Sequence, residues 1–387
     1  MKKPVQSLLA SVFAAGLGVT GISMGAAQAQ ETVKIGVIEP LTGGVAFDGM
    51  SFVKGAQLAE KEINAAGGLL GKKLELVVAD GVCRPAESVS AAEKLITSDK
   101  VPVMIGAFCS GATQAVMPVA ERSKIPLVTG TSSLPRLTEV GNKWFFRNTE
   151  KDTMEAAAFS NALINDLKFK TVFYVAANDD WGRGSVDSFK KTLEGLGAKT
   201  VGVEFFDQSA TDFYTLLTKV RGARPDLVFL AAYTQSAATA LKQAKELGVE
   251  SKIFGIGAVT TPTFLKLAGD AAHGLLAGVA YASSIPGAEN AKFVAAYKAA
   301  NGEDPSKYAM FGYNTTHVVG EAIKRAGAAD PEKIREALAA TDYLGPTGRV
   351  HFDDKGQGYG FSLYLVELTP GGAVVRASKE IDKAAAQ

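Results

Sequence analysis

Short apolar runs rich in β-branched residues alternate along this chain with longer stretches of helical period, and that alternation constrains the fold more than any other feature. Continuously apolar strands need cover on both faces, which helices between successive parallel strands provide. Residues 33–38, 74–79, 101–106 and 125–129 read as buried strands. Between them, 51–65 carries Phe52, Ala56, Ala59 and Ile63 at helical spacing, and 87–97 carries Val89, Ala92 and Ile96. The pattern restarts after Arg147-Asn148-Thr149, with strands at 171–176, 201–206, 227–231 and 253–256 and helices near 154–167, 184–196, 213–221 and 236–247. Two such arrays predict an α/β fold of two Rossmann-like lobes with parallel-sheet cores and a ligand crevice at the carboxyl ends of the strands.

The last third is too short for a core of its own. Helical patterns at 293–300, 315–326 and 331–340, the last opened by Asp330-Pro331, and an alternating strand at 361–368 complete the earlier lobes instead. The expected division is 30–148 plus 278–356 for the N-terminal lobe and 149–277 plus 357–387 for the C-terminal one, joined by a multi-crossover hinge.

At the N-terminus Lys2 and Lys3 precede a charge-free stretch over 5–29 that ends in Ala27-Gln28-Ala29. Basic start, apolar middle and small-x-small end read as a secretory signal peptide, 1–29, cleaved after Ala29, which places the mature protein in the periplasm. A membrane anchor is the competing reading, but Gly16, Gly18, Gly21 and Gly25 interrupt the segment and no basic stop follows. Removing both lysines takes the formal charge from +1 to −1, so there is no basic field for nucleic acid or acidic lipid. The two cysteines, Cys83 and Cys109, both fall in the exported part, where thiols are oxidised, and a disulfide between them is expected. Only His273, His317 and His351 could serve as imidazole bases or ligands, and none stands in a recognisable relation to a nucleophile. No catalytic residue, metal or cofactor is therefore expected.

The strand ending at Gly106 leads into Ala107-Phe108-Cys109-Ser110-Gly111, followed by helical sequence through Ser123. A helix starting near Ser110 presents free N–H groups and its positive dipole end to the crevice, a ready carboxylate site. Ser110 either adds a donor there or caps the helix. A second loop of the same character, Thr129-Gly130-Thr131-Ser132-Ser133, follows the next strand. Arg84, beside Cys83, offers a planar fork for an anion, and Arg147, near the crossover, suits a structural ion pair or ligand contact equally.

The segments Leu41-Thr42-Gly43, EINAAGGLLGKKLEL over 62–76, the Cys83/Cys109 pair, Cys109-Ser110 before Thr113-Gln114, and Trp181-Gly182-Arg183-Gly184 resemble the branched-chain amino-acid-binding proteins, of the type I periplasmic binding protein fold. That resemblance spans the mature chain and implies delivery of a ligand, by hinged closure, to the membrane permease and ATPase of an ABC importer, for which a monomer suffices. It also implies that Ser110 binds the ligand carboxylate, that Thr131 and Ser133 add backbone and hydroxyl bonds, and that the aromatic side chains of Phe47, Trp181 and Tyr233 surround the ligand. Where such amino-acid binders carry a glutamate for the ligand ammonium, this chain has Gly257. An ammonium buried without a countercharge is costly, so the expected ligand is a small carboxylate lacking the amino group, an aromatic or 2-oxo acid packed against Phe47, Phe108, Trp181 and Tyr233. A branched-chain amino acid remains the alternative, with Asp179, Asp180 or Asp207 supplying the missing charge. Sensing for a membrane receptor would use the same fold and pocket.

Overall fold

The structure, a computed structural model, describes residues 1, 31–370 and 372–386; the residues of the expected signal peptide, 2–29, lie outside the described residues. The first sheet is built from β1 (Thr32–Glu39), β2 (Lys73–Asp80), β3 (Met104–Gly106), β4 (Leu127–Thr129) and β5 (Phe145–Arg147) in the order β2-β1-β3-β4-β5, every pair parallel. Between these strands run α1 (Ala46–Ala65), α2 (Pro85–Thr97) and α3 (Ser110–Ser123). The hydroxyl-rich stretch 107–113 and the loop 130–134 thus leave the carboxyl ends of neighbouring strands β3 and β4, and lie side by side.

The second sheet gathers β6 (Thr171–Ala177), β7 (Lys199–Phe206), β8 (Leu227–Ala232), β9 (Lys252–Gly257), β10 (Leu276–Val279), β11 (Tyr343–Gly345), β12 (Gly348–Phe352) and β13 (Gly358–Thr369) in the order β11-β12-β13-β10-β9-β8-β6-β7, with β14 (Gly372–Glu380) paired on β13. Strands β6 to β10 are parallel, whereas β11 to β14 pair antiparallel. Helices α4 (Asp152–Asn161), α5 (Asp180–Gly195), α6 (Tyr214–Ala223), α7 (Thr234–Glu246) and α8 (Pro262–Ala268) accompany this half. The rings of Phe189, Phe229 and Phe254 meet at centroid distances of 4.7 to 6.1 Å in its core. All three are fully buried, each contributing about 1.5–3 kcal/mol by area.

After β10 the chain forms α9 (Ala288–Asn301), α10 (Lys307–Ala326) and α11 (Pro331–Ala339), and α10 lies along α1 of the first sheet. Two glycines permit that close crossing. A Cβ on Gly55 would sit 1.8 Å from the Ala309 carbonyl oxygen, and one on Gly312 would sit 2.0 Å from that of Phe52. The chain therefore passes from the first sheet to the second after β5, returns through α10, and goes back through β13.

Arg147 fixes the first of these crossings. Fully buried, it donates from Nε to Gln357 Oε1 (2.6 Å), from Nη1 to the carbonyls of Ser132 (3.2 Å) and Leu134 (2.7 Å), and from Nη2 to Pro135 O (3.2 Å) and Thr138 Oγ1 (2.7 Å). Burial lowers its pKa to about 10, so it remains charged at neutral pH. Arg147 is thus a strut for the 131–135 loop.

Candidate functional site

The geometry of the first half of the site follows from where β3 and β4 stop. Cys109 is the N-cap of α3 and Ser110 its first helical residue. The first intrahelical donor at this end is Thr113 N, bonded to Cys109 O, so the N–H groups of Ser110, Gly111 and Ala112 have no partner within the helix. Ser110 does not cap α3; its hydroxyl accepts from Leu134 N at 3.3 Å. The two loops are cross-tied: Thr131 Oγ1 and Ser132 Oγ both donate to Phe108 O, at 2.9 and 2.8 Å, and Thr113 Oγ1 lies 2.7 Å from Ser132 Oγ. The Cys83–Cys109 disulfide, with its Cα atoms 5.4 Å apart, ties the same turn to the end of β2.

The second half comes from strand ends of the larger sheet. Tyr233, just beyond β8, donates its hydroxyl to Asp179 Oδ2 at 2.8 Å, and its ring lies 5.0 Å from that of Trp181 in the first turn of α5. Burial and the neighbouring Asp179 carboxylate hold the Tyr233 phenol well above its ordinary pKa, so it stays a donor. Gly257 ends β9 with φ +86°, and a Cβ there would lie 2.6 Å from Trp181 Cη2. Trp181 occupies the space that a side chain at 257 would need.

Phe108, Ser110, Thr131, Ser133, Trp181, Tyr233 and Gly257 converge on one cavity, with Cys109 beside them, about 30 Å3 in volume. Two of the proposed contact residues stand elsewhere. Phe47 is 51 % exposed and lines a separate hollow with Met50, Thr261 and Tyr297. The Arg84 side chain is 70 % exposed and faces Glu87 at 3.6 Å. Nor do Asp179, Asp180 or Asp207 line the cavity: Asp179 caps α5 and holds Tyr233, and Asp207 accepts from Ser209.

Sequence reasoning missed five residues of the wall: Glu150, Glu155, Lys307, Tyr308 and Phe311. Glu150 and Glu155 flank the start of α4, where acids usually serve the helix dipole at the surface, and nothing in the local pattern reveals that both are buried. Lys307 and Tyr308 open α10 directly after its capping Ser306, and the Tyr308 ring packs 5.0 Å from that of Phe108. Burial, reinforced by the Glu150 charge, raises the Glu155 carboxyl well above the usual range, with Lys307 pulling the other way.

A cavity walled by loops at the carboxyl ends of strands from two α/β halves is the architecture of a solute receptor. The model of the periplasmic binding protein family matches residues 32–373, and the chain belongs to that family. It is 32 % identical over 366 residues to the leucine-, isoleucine-, valine-, threonine- and alanine-binding protein of Pseudomonas aeruginosa, covering 94 % of this chain and 97 % of that one. The branched-chain amino acid transporter substrate binding protein of Streptococcus pneumoniae, solved with isoleucine, superposes with a TM-score of 0.83 at 31 % identity, over 91 % of this chain and 99 % of that one. A solute binding protein of an ABC transporter from Rhodopseudomonas palustris, solved with 3,4-dihydroxybenzoic acid, gives a TM-score of 0.82 at 26 % identity, over 91 % and 98 %. The resemblance read from the motifs holds, and this chain is a solute-binding protein of the ABC-transporter kind with the type I fold.

Proposed function

We propose that the protein captures a small carboxylate-bearing solute in this cavity, in the periplasm, and delivers it unchanged to the permease and ATPase of an ABC importer. The observation that carries the reading is the meeting of the free N–H groups of α3 with the hydroxyls of Ser110, Thr131 and Ser133 at one buried cavity. The free N–H groups of a helix N-terminus, with the Ser110 hydroxyl, which accepts from Leu134 N and keeps its own proton to donate, favour an anion with oxygen acceptors. The relatives bound to isoleucine and to 3,4-dihydroxybenzoic acid support a carboxylate as the shared feature.

Capture requires movement. A cavity of about 30 Å3 has room for about one or two water molecules, so the walls must part before any amino or aromatic acid enters. Lobes comprising 30–148 plus 278–356 and 149–277 plus 357–387 open about the crossovers in this proposal, and contacts made only on closure shift the population to the closed form. The test is a thermal-shift and scattering series on the mature protein with small carboxylates, followed by recovery of the solute. Stabilisation, a compaction on binding and an unaltered solute are expected. Chemical conversion of the solute, or no stabilisation by any carboxylate, would overturn the proposal.

A further inference from the structure

We infer that Asp179 is a positioning residue for capture: without touching the solute, it aims Tyr233 and Gln208 of the second half at the Cys83–Cys109 bridge of the first, so that the two halves meet on that bridge beside the cavity. This rests on the carboxylate reading above and adds to it the contact that holds the closed form. The order β8-β6-β7 in the larger sheet puts the end of β6 between the ends of its two neighbours. Asp179 follows β6, Tyr233 follows β8, and Gln208 follows β7. The Asp179 carboxylate takes a donor from each side. Oδ1 accepts from Gly182 N at 2.8 Å as the cap of α5, and Oδ2 accepts from both Tyr233 Oη, at 2.8 Å, and Gln208 Nε2. The same two side chains reach the first half, with Gln208 Nε2 3.9 Å from Cys83 Sγ and Tyr233 Oη 3.7 Å from Cys109 Sγ. The backbones close up at the same place, where a Cβ on Gly44 would sit 3.3 Å from the Gln208 carbonyl oxygen.

A carboxylate is the group that fits this point. Gly182 N, Tyr233 Oη and Gln208 Nε2 all donate to it, and an amide would turn its own N–H groups towards one of the two sides. A disulfide sulfur carries no proton and accepts only weakly, so the seam gains from the packing of groups already in place rather than from strong bonds across it. Asp179 supplies that order. A Tyr233 and a Gln208 free to turn would each lose rotamer freedom when the halves close, which weakens binding. Tyr233 lines the cavity, whereas Asp179 and Gln208 line a neighbouring hollow of about 280 Å3 that shares Cys109, Ser110 and Trp181 with it. Asp179 therefore acts on the solute through Tyr233 and through closure.

The experiment is calorimetric and stopped-flow titration of the mature protein with leucine, isoleucine, valine, threonine, alanine, benzoate and 3,4-dihydroxybenzoate, repeated on Asp179→Asn with whichever of these the parent binds most tightly. Asparagine keeps a cap for α5, so the melting temperature of the unliganded variant should stay within a few degrees of the parent. Affinity should fall roughly fivefold to a hundredfold, the range expected when two side chains must be ordered on closure, with the change in the dissociation rate. In the Tyr233→Phe background the same substitution should cost less than it does in the parent, because part of its effect runs through the lost hydroxyl. An affinity for Asp179→Asn equal to the parent's, or a loss that simply multiplies with that of Tyr233→Phe, overturns the inference and leaves the carboxylate reading standing. Should Asp179→Asn fail to fold, Gln208→Ala decides, since an unchanged dissociation rate there removes the seam. Binding of no member of the series by the parent overturns both readings.

Discussion

The Asp48 carboxylate on α1 accepts from both the backbone N–H and the hydroxyl of Thr234 at the start of α7, at 3.3 and 2.5 Å, tying a helix of the first sheet to one of the second. Asp48 is buried, and burial outweighs these bonds and the charge of Lys307, raising its pKa from 3.8 to about 6. A carboxyl raised on folding takes up a proton between those two values. Its contribution to stability is therefore greatest below about pH 4, falls as pH rises towards 6 and is level above, a change of roughly 3 kcal/mol. Asp152, also raised to about 6 by burial, and Glu39, Glu60 and Glu155, raised by burial as well, add to the slope in this range, so the variant Asp48→Asn isolates one contributor among several. Its urea-unfolding free energy should depend less on pH between 4 and 6 than that of the parent. An identical slope would exclude Asp48 as a contributor.

The Cys83–Cys109 bridge joins residues 26 apart in sequence. In the chain-entropy account a loop of that length is worth about 3.5 kcal/mol. Spread over the unfolding entropy of a chain this long, that is roughly 5 °C in melting temperature. The double variant Cys83→Ser, Cys109→Ser should show a loss of that order by calorimetry. Its ligand affinity should also fall, because the bridge holds the turn from which Phe108 and Ser110 reach the cavity. Unchanged melting would show that the tertiary contacts of this turn suffice without the bridge.

Long elements of clear period were legible in the sequence, and short or exposed ones were not. The end of α2 at Thr97 and the start of α3 at Ser110 fall where the residue pattern puts them, and β1, β2, β6, β8 and β9 match their apolar runs. Strand β5 has three residues and β10 four, one of them Gly278, too few to establish a period. Strand β14 is largely exposed, Val374 and Val375 included, so it carries no core signal, and α8 has only seven residues. Among the residues lining the cavity, Ser110 and the loop of Thr131 and Ser133 were marked by strand ends and loop chemistry, whereas Trp181 and Tyr233 were named only through the family resemblance. Glu150, Glu155 and Lys307 were not legible, because burial of a charge depends on what the crossover and α10 bring against it, which no local pattern encodes.

Ser110 is 2 % exposed, stands at the first turn of α3 and lines the cavity. Ser110→Ala removes the hydroxyl and also strips Leu134 N of its acceptor. Loss of a charge-assisted bond to the solute should weaken binding by roughly 1.5–3 kcal/mol, whereas the lost bond to Leu134 affects stability. Titration at constant temperature, paired with melts of the unliganded protein, separates the two. An affinity equal to that of the parent would remove Ser110 from the site.

Gly257 tests the other wall of the cleft. Substitution by glutamate would restore the acid that the resemblance implies at this position, and on charge alone it should strengthen binding of an amino-bearing solute. Steric and backbone terms oppose that gain. The residue has φ +86°, and a Cβ would lie 2.6 Å from Trp181 Cη2 and 2.7 Å from Ala232 O. Trp181 could rotate, but the carbonyl belongs to β8 and cannot yield without disturbing the sheet. Overpacking of this kind costs about 1–3 kcal/mol, and a left-handed backbone at a residue with a side chain adds about 1 kcal/mol or more. Gly257→Glu should therefore lower the melting temperature by several degrees and weaken solute binding, because displaced Trp181 no longer packs on Tyr233. Gly257→Ala, which carries the clash without the charge, should lose comparable stability. Tighter binding by the glutamate variant at undiminished stability would mean that Trp181 swings aside freely, and that position 257 remains open to a charge.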